Sequence, residues 1–193
     1  MTYLILGLII FLGIHAVRIF ADGFRTRTIE RIGLKPWKGI YALLSLAGFV
    51  LLVYGYGLSR AEGEFLWNPP RWTYHVTALL MLFSFILVVA AYMPGTRIKA
   101  SIGHPMVMGV KVWAFAHLLS NGRVGDVVLF GAFLAWAVAD YVAARRRDRA
   151  AGTVYVSLGA SRDVIAVVGG LVGYVAFALW LHFWLIGVKP FGV

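Results

Sequence analysis

A chain of 193 residues that is 61% hydrophobic and 13% charged, with a mean hydropathy of +0.84, is too apolar for a water-soluble domain and is expected to be a polytopic membrane protein. Its formal charge of +10 would suit a nucleic-acid ligand, but the basic residues cluster by topology instead, so no nucleic-acid partner is expected. The absence of cysteine excludes disulfides, thiolate ligands and covalent c-type haem attachment.

The first predicted helix is Thr2–Phe20, broken only by Arg18 near its end. MTYLILGLII carries no basic residue before its apolar core, so the segment reads as a retained helix rather than a signal peptide. Charge-free runs follow at Gly39–Ser59, Trp72–Thr96 and Val164–Val188. Each has the roughly 20 residues that a helix needs to cross about 30 Å of hydrocarbon. Pro105–Ser120 and Val124–Ala144 are shorter or interrupted, the first by Lys111 and the second by Asp140. The expected fold class is therefore all-α, a transmembrane bundle of about six helices. Long continuous apolar runs do not alternate as barrel strands would.

The charges orient the bundle. Arg18, Arg25, Arg27, Arg31, Lys35 and Lys38 surround the first connection, Arg97 and Lys99 the third, and Arg145, Arg146, Arg147, Arg149 and Arg162 the fifth. Only Arg60, Arg71, Arg123 and Lys189 fall on the opposite side. The positive-inside rule then puts both termini on the outer, periplasmic side of a bacterial inner membrane. The polar connection Arg145–Asp163 is the longest, with room for a short surface helix or nothing regular. No repeat or linker divides the chain, so residues 1–193 are read as one domain.

All five histidines fall within or at the edge of a predicted span: His15, His75, His104, His117 and His182. An ionisable side chain at membrane depth is a functional candidate by default. His182, among Trp180, Phe183 and Trp184, suits an aromatic belt at the headgroups. His75 follows Pro69, Pro70 and Trp72 near the outer interface, where an interfacial role is the simpler reading. His104 directly precedes Pro105, a comfortable first helical residue, so a capping role rivals a chemical one. Lys111 lies two turns beyond His104 on nearly the same face, about 10 Å along the axis, and a structural pair with Asp140 is its simplest reading. His15 and His117 are harder to explain by packing, since a short imidazole cannot readily snorkel out of its span.

Two neutral imidazoles from different helices are a metal donor set, and without thiolates or clustered carboxylates the best-suited metal is haem iron, as haem b. The macrocycle is apolar and suits a chain with seven Trp and thirteen Phe. Arg18 is placed to meet a haem propionate. His15 falls about 20 Å below the outer start of its helix and His117 about 12 Å below the outer face, an offset of about 8 Å that tilt can absorb. A His15–His104 pair fits depth about equally well, and depth does not choose between them.

The stretch GHPMVMGVKVWAFAHLLSNG, together with LGIHAVRIFAD, KGIYALLSLAGFVLLVYGYG and LWNPP, closely resembles the NnrU family of bacterial membrane proteins over nearly the whole chain. That family is associated with nitrite and nitric oxide reduction, and it is similar to the 15-cis-zeta-carotene isomerase of plants and cyanobacteria, a membrane haem b protein that isomerises a polyene. The resemblance implies His15 and His117 as the haem and metal ligands, with His104, His75, Lys111 and Asp140 as supporting or substrate-facing residues. The isomerase carries a cysteine three residues before the second ligand; this chain has Ala114, which removes thiolate-based ligand exchange. His104, Pro105 and Gly109 also resemble part of the membrane S-adenosylmethionine-dependent methyltransferases, but Gly103 stands where those enzymes have arginine, and RRRDRAAG lacks their acidic pair. The readings carried forward are a haem-dependent isomerase of an apolar polyene, a haem-containing sensor or assembly factor for nitrogen-oxide respiration without turnover, and methyl transfer, ranked last. A purely structural membrane protein, with every histidine packed or interfacial, also stands.

Overall fold

Apolar stretches uninterrupted by turn residues can satisfy their backbone groups in a bilayer only as helices, and helices they are. The computed structural model describes residues 1–191. In chain order the helices are α1 (Thr2–Phe20), α2 (Asp22–Ile32), α3 (Leu34–Glu62), α4 (Arg71–Tyr92), α5 (Arg97–Ile102), α6 (Pro105–Ser120), α7 (Val124–Ala151), α8 (Ala160–Ala176) and α9 (His182–Ile186). A π-helical turn at Phe177–Leu181 joins the last two into one span. The one β pairing among the described residues is an isolated antiparallel bridge between Phe65 and Arg123.

Five of the six expected spans are helices long and apolar enough to cross a membrane: α1, α3 to Ala61, α4, α7, and Ala160–Ile186. The sixth, α6, is apolar but only 16 residues long. At 1.5 Å per residue it covers about 24 Å, less than the hydrocarbon thickness. Its start is fixed by Gly103, at φ +79°, and Pro105, which supplies no N–H.

The chain divides into two compact units, one of residues 1–68 with 121–140, the other of residues 69–120 with 141–193. Helix α7 contributes its first half to unit 1 and its second half to unit 2. In unit 1, α1 and α3 pack antiparallel at close range, because small residues remove the side chains that would hold them apart. A Cβ on Gly48 would come within 2.7 Å of the Phe11 backbone nitrogen, and one on Gly7 or Gly55 would run into the backbone of Leu52 or Leu4. In unit 2, α4 is the central helix. Ser84 Oγ donates to the Gly109 carbonyl at 2.8 Å and Thr77 Oγ1 to the Ala116 carbonyl at 2.8 Å, tying α4 to α6. Gly170 lets α8 approach α4, since a Cβ there would lie 2.6 Å from the Ile86 Cα.

Candidate functional site

In unit 1, the close α1–α3 approach brings His15 to α3. Its Nδ1 donates to the Phe11 carbonyl one turn earlier at 2.6 Å. A neutral ring protonated at Nδ1 leaves Nε2 as a bare lone pair, and that bond also fixes the ring's orientation. Phe11 and Tyr41 lie at ring-centroid distances of 4.3 and 5.1 Å, and Trp136 of α7 stands perpendicular at 6.0 Å. Ser45 is one turn beyond Tyr41 on the same stripe of α3 as Gly48, which meets Phe11. The Ser45 hydroxyl and the Trp136 indole nitrogen are both buried without a hydrogen-bond partner. Each such group costs about 1–3 kcal/mol when left unmade, so this unit carries two unused donors in its apolar interior. Arg18 follows His15 by three residues and is exposed. Asp140 is near enough to Tyr41 for its charge to act on that phenol.

In unit 2, His117 repeats the arrangement. Its Nδ1 donates to the Trp113 carbonyl four residues back at 2.9 Å, and the Trp113 ring lies 5.5 Å away. Ala114, on the preceding turn, is 0% exposed. The chemistry of both side chains fits an imidazole-ligated haem: each ring is oriented by an Nδ1 hydrogen bond to a backbone carbonyl, the outer partner that metal-ligating histidines ordinarily have. Among the described residues no group of three or more His, Asp or Glu gathers to hold a metal ion by itself.

His104 is differently placed. Its Nε2 is taken by Asp148 Oδ2 at 2.8 Å, on the last turns of α7. Tyr155, on the α7–α8 connection, donates its hydroxyl to the same carboxylate at 3.1 and 3.2 Å, and Arg145 Nη1 stands 3.4 Å from it. Burial, and then the hydrogen bond to the Asp148 carboxylate, raise the Tyr155 phenol above its ordinary value. Gly103 makes room: a Cβ there would lie 2.6 Å from the Arg145 guanidinium. Lys111 places its Nζ 5.2 Å over the Tyr141 ring, a cation–π contact, and the Tyr141 hydroxyl donates to the Ile102 carbonyl at 3.0 Å. Lys111 lies in unit 2 and Asp140 in unit 1. His75 is exposed near the start of α4. His182 is half-buried and donates to the Val188 carbonyl at 2.7 Å.

Sequence reasoning missed a second polar cluster, in unit 1. Asp126 is 4% exposed and accepts from the Tyr56 hydroxyl at 2.8 Å and from the Arg123 backbone N–H at 3.0 Å. Arg123 donates to the Arg60 carbonyl and lies 4.6 Å over the Phe65 ring. Its signal was an acid three residues into α7, the position from which a carboxylate caps its own helix. For the Asp148 cluster no local signal existed, as its partners are 44 residues apart for His104 and seven for Tyr155.

Comparison with known proteins accords with this frame. No curated protein and no solved structure matches the chain. The NnrU protein family matches residues 3–190, nearly its whole length. With five helices long and apolar enough to cross a membrane and a match over nearly its whole length, this chain belongs to the NnrU family.

Proposed function

We propose that this protein binds one b-type haem, whose iron His15 and His117 would hold, in a bacterial inner membrane with both termini on the outer face. The observation that carries the reading is the shared state of the two imidazoles. Each gives its Nδ1 proton to the carbonyl one turn back, which orients the ring as the outer partner of a metal-ligating histidine ordinarily does. The His104 Nε2 is held by Asp148, so of the two pairs that depth allows the His15–His117 pair is favoured. Bound there, haem supplies an iron centre that changes oxidation state in an apolar setting. The chain's own contribution is to orient two imidazoles, exclude water with Phe11, Tyr41 and Trp113, and offer the Trp136 and Ser45 donors to an acceptor atom in unit 1.

The substrate class is an apolar polyene, and the reaction a cis–trans isomerisation, as the likeness to the carotene isomerase implies. A second reading, a haem-containing sensor or assembly factor serving nitrite and nitric oxide reduction, draws on Ala114, which supplies no thiolate for ligand exchange. Incubating haem-loaded protein with a cis-polyene and separating the isomers by chromatography divides the two. A changed isomer ratio, lost in His15→Ala and His117→Ala, supports the enzyme. An unchanged ratio from a haem-loaded preparation leaves the sensor.

A further inference from the structure

Helix α7 is 28 residues long, about 42 Å, and its apolar portion ends at Ala144. The last two turns, Arg145–Ala151, therefore project from the hydrocarbon into the zone where lipid phosphates lie. The chain then leaves the helix as an extended strap pinned at three points within unit 2. Thr153 N–H donates to the Asp148 carbonyl at 2.9 Å, the Tyr155 hydroxyl to the Asp148 carboxylate, and Leu158 N–H to the Gly95 carbonyl at 2.8 Å. Tyr155 turns toward Asp148, while the residues on either side of it are exposed. Val154 and Val156 are 81% and 67% exposed, and Leu158 is 62% exposed. Three large apolar side chains on a connection between charged helix ends are costly in water. The exposed Arg146 and Arg149 lie on the helix turns that lead into this connection, and Arg162 follows it in the first turn of the next helix.

We propose that this strap is an acidic-phospholipid docking surface: Val154 and Val156 enter the interfacial layer while Arg146 and Arg149 hold anionic headgroups. The charge selects acidic over zwitterionic lipid, because each Arg near an anionic leaflet contributes attraction that a neutral headgroup does not return. The His104–Asp148–Tyr155 cluster is the device that fixes the presentation, since it sets which strap side chains face out. This surface is independent of the haem reading.

The cysteine-free chain permits a clean test. Val156→Cys carries an environment-sensitive fluorophore in full-length protein reconstituted into phosphatidylcholine vesicles, with and without phosphatidylglycerol. Val154→Cys is the second position should the first not fold. Lipid-borne doxyl groups are expected to quench the label more than aqueous iodide does, and more strongly with phosphatidylglycerol present. In Arg146→Gln and Arg149→Gln backgrounds the phosphatidylglycerol fraction giving half the effect should rise about fivefold per arginine removed. Dominant iodide quenching in both vesicles would overturn the docking. Doxyl quenching indifferent to phosphatidylglycerol would overturn the acidic preference.

Discussion

His104 illustrates how much a single residue's meaning depends on partners that sequence does not reveal. As a histidine before a proline it invited a catalytic reading, yet its side chain is 26% exposed and its Nε2 is bound to a carboxylate that is itself 12% exposed. Removing one member of such a part-buried pair strands the other, which costs about 1–3 kcal/mol. His104→Ala should therefore lower the thermal midpoint in detergent, followed by tryptophan fluorescence, without removing haem absorbance. Trp136→Phe is the opposite case. It deletes an indole N–H that has no partner, so haem-free protein should change stability by less than about 1 kcal/mol. His15 and His117 stood out as candidates because five histidines in a membrane chain are conspicuous, but the hydrogen bond that orients each ring is a matter of side-chain rotamer and left no trace in the sequence.

Among the elements, the α1–α3 pair depends on glycine rather than on large apolar contacts. Gly48→Leu would force the Phe11 backbone away and should cost about 1–3 kcal/mol or more, visible as loss of monodisperse protein on size exclusion or a lowered melt. The strap offers a test by pH. The Tyr155 phenol is held protonated by burial and by the Asp148 carboxylate, so its folded value lies above the unfolded one, near 10. Its stabilising contribution is then complete below about pH 10 and lost as pH rises through the folded value. The difference in melting between the native protein and Tyr155→Phe should stay level below about pH 10 and close above it. The spans themselves were readable from charge-free runs, while their ends were less so. The polar connection Arg145–Asp163 left room for a short surface helix or nothing regular; its first part, Arg145–Ala151, continues α7, since a helix needs no apolar residues once it has left the bilayer. The π turn at Phe177–Leu181 sits in an unbroken apolar run and had no signature in the sequence.

For the whole molecule, an all-helical membrane fold in the NnrU family follows from composition and motif together. The division into two packing units does not, because it depends on which helices meet rather than on where they begin. The orientation inferred from the basic connections can be checked with single cysteines at Thr2 and Asp22: a membrane-impermeant thiol reagent on intact spheroplasts should label the first and spare the second, and the reverse would invert the topology. The central claim is the pair of imidazoles on one haem. Its most direct test is the oxidised and reduced visible spectrum of protein purified from haem-sufficient cells, compared among the native chain, His15→Ala, His117→Ala and His104→Ala. A Soret band with sharp reduced bands, lost or altered in the first two variants and retained in His104→Ala, is the predicted result. A colourless native preparation that takes up no added haem would contradict it, as would a spectrum indifferent to His15 and His117.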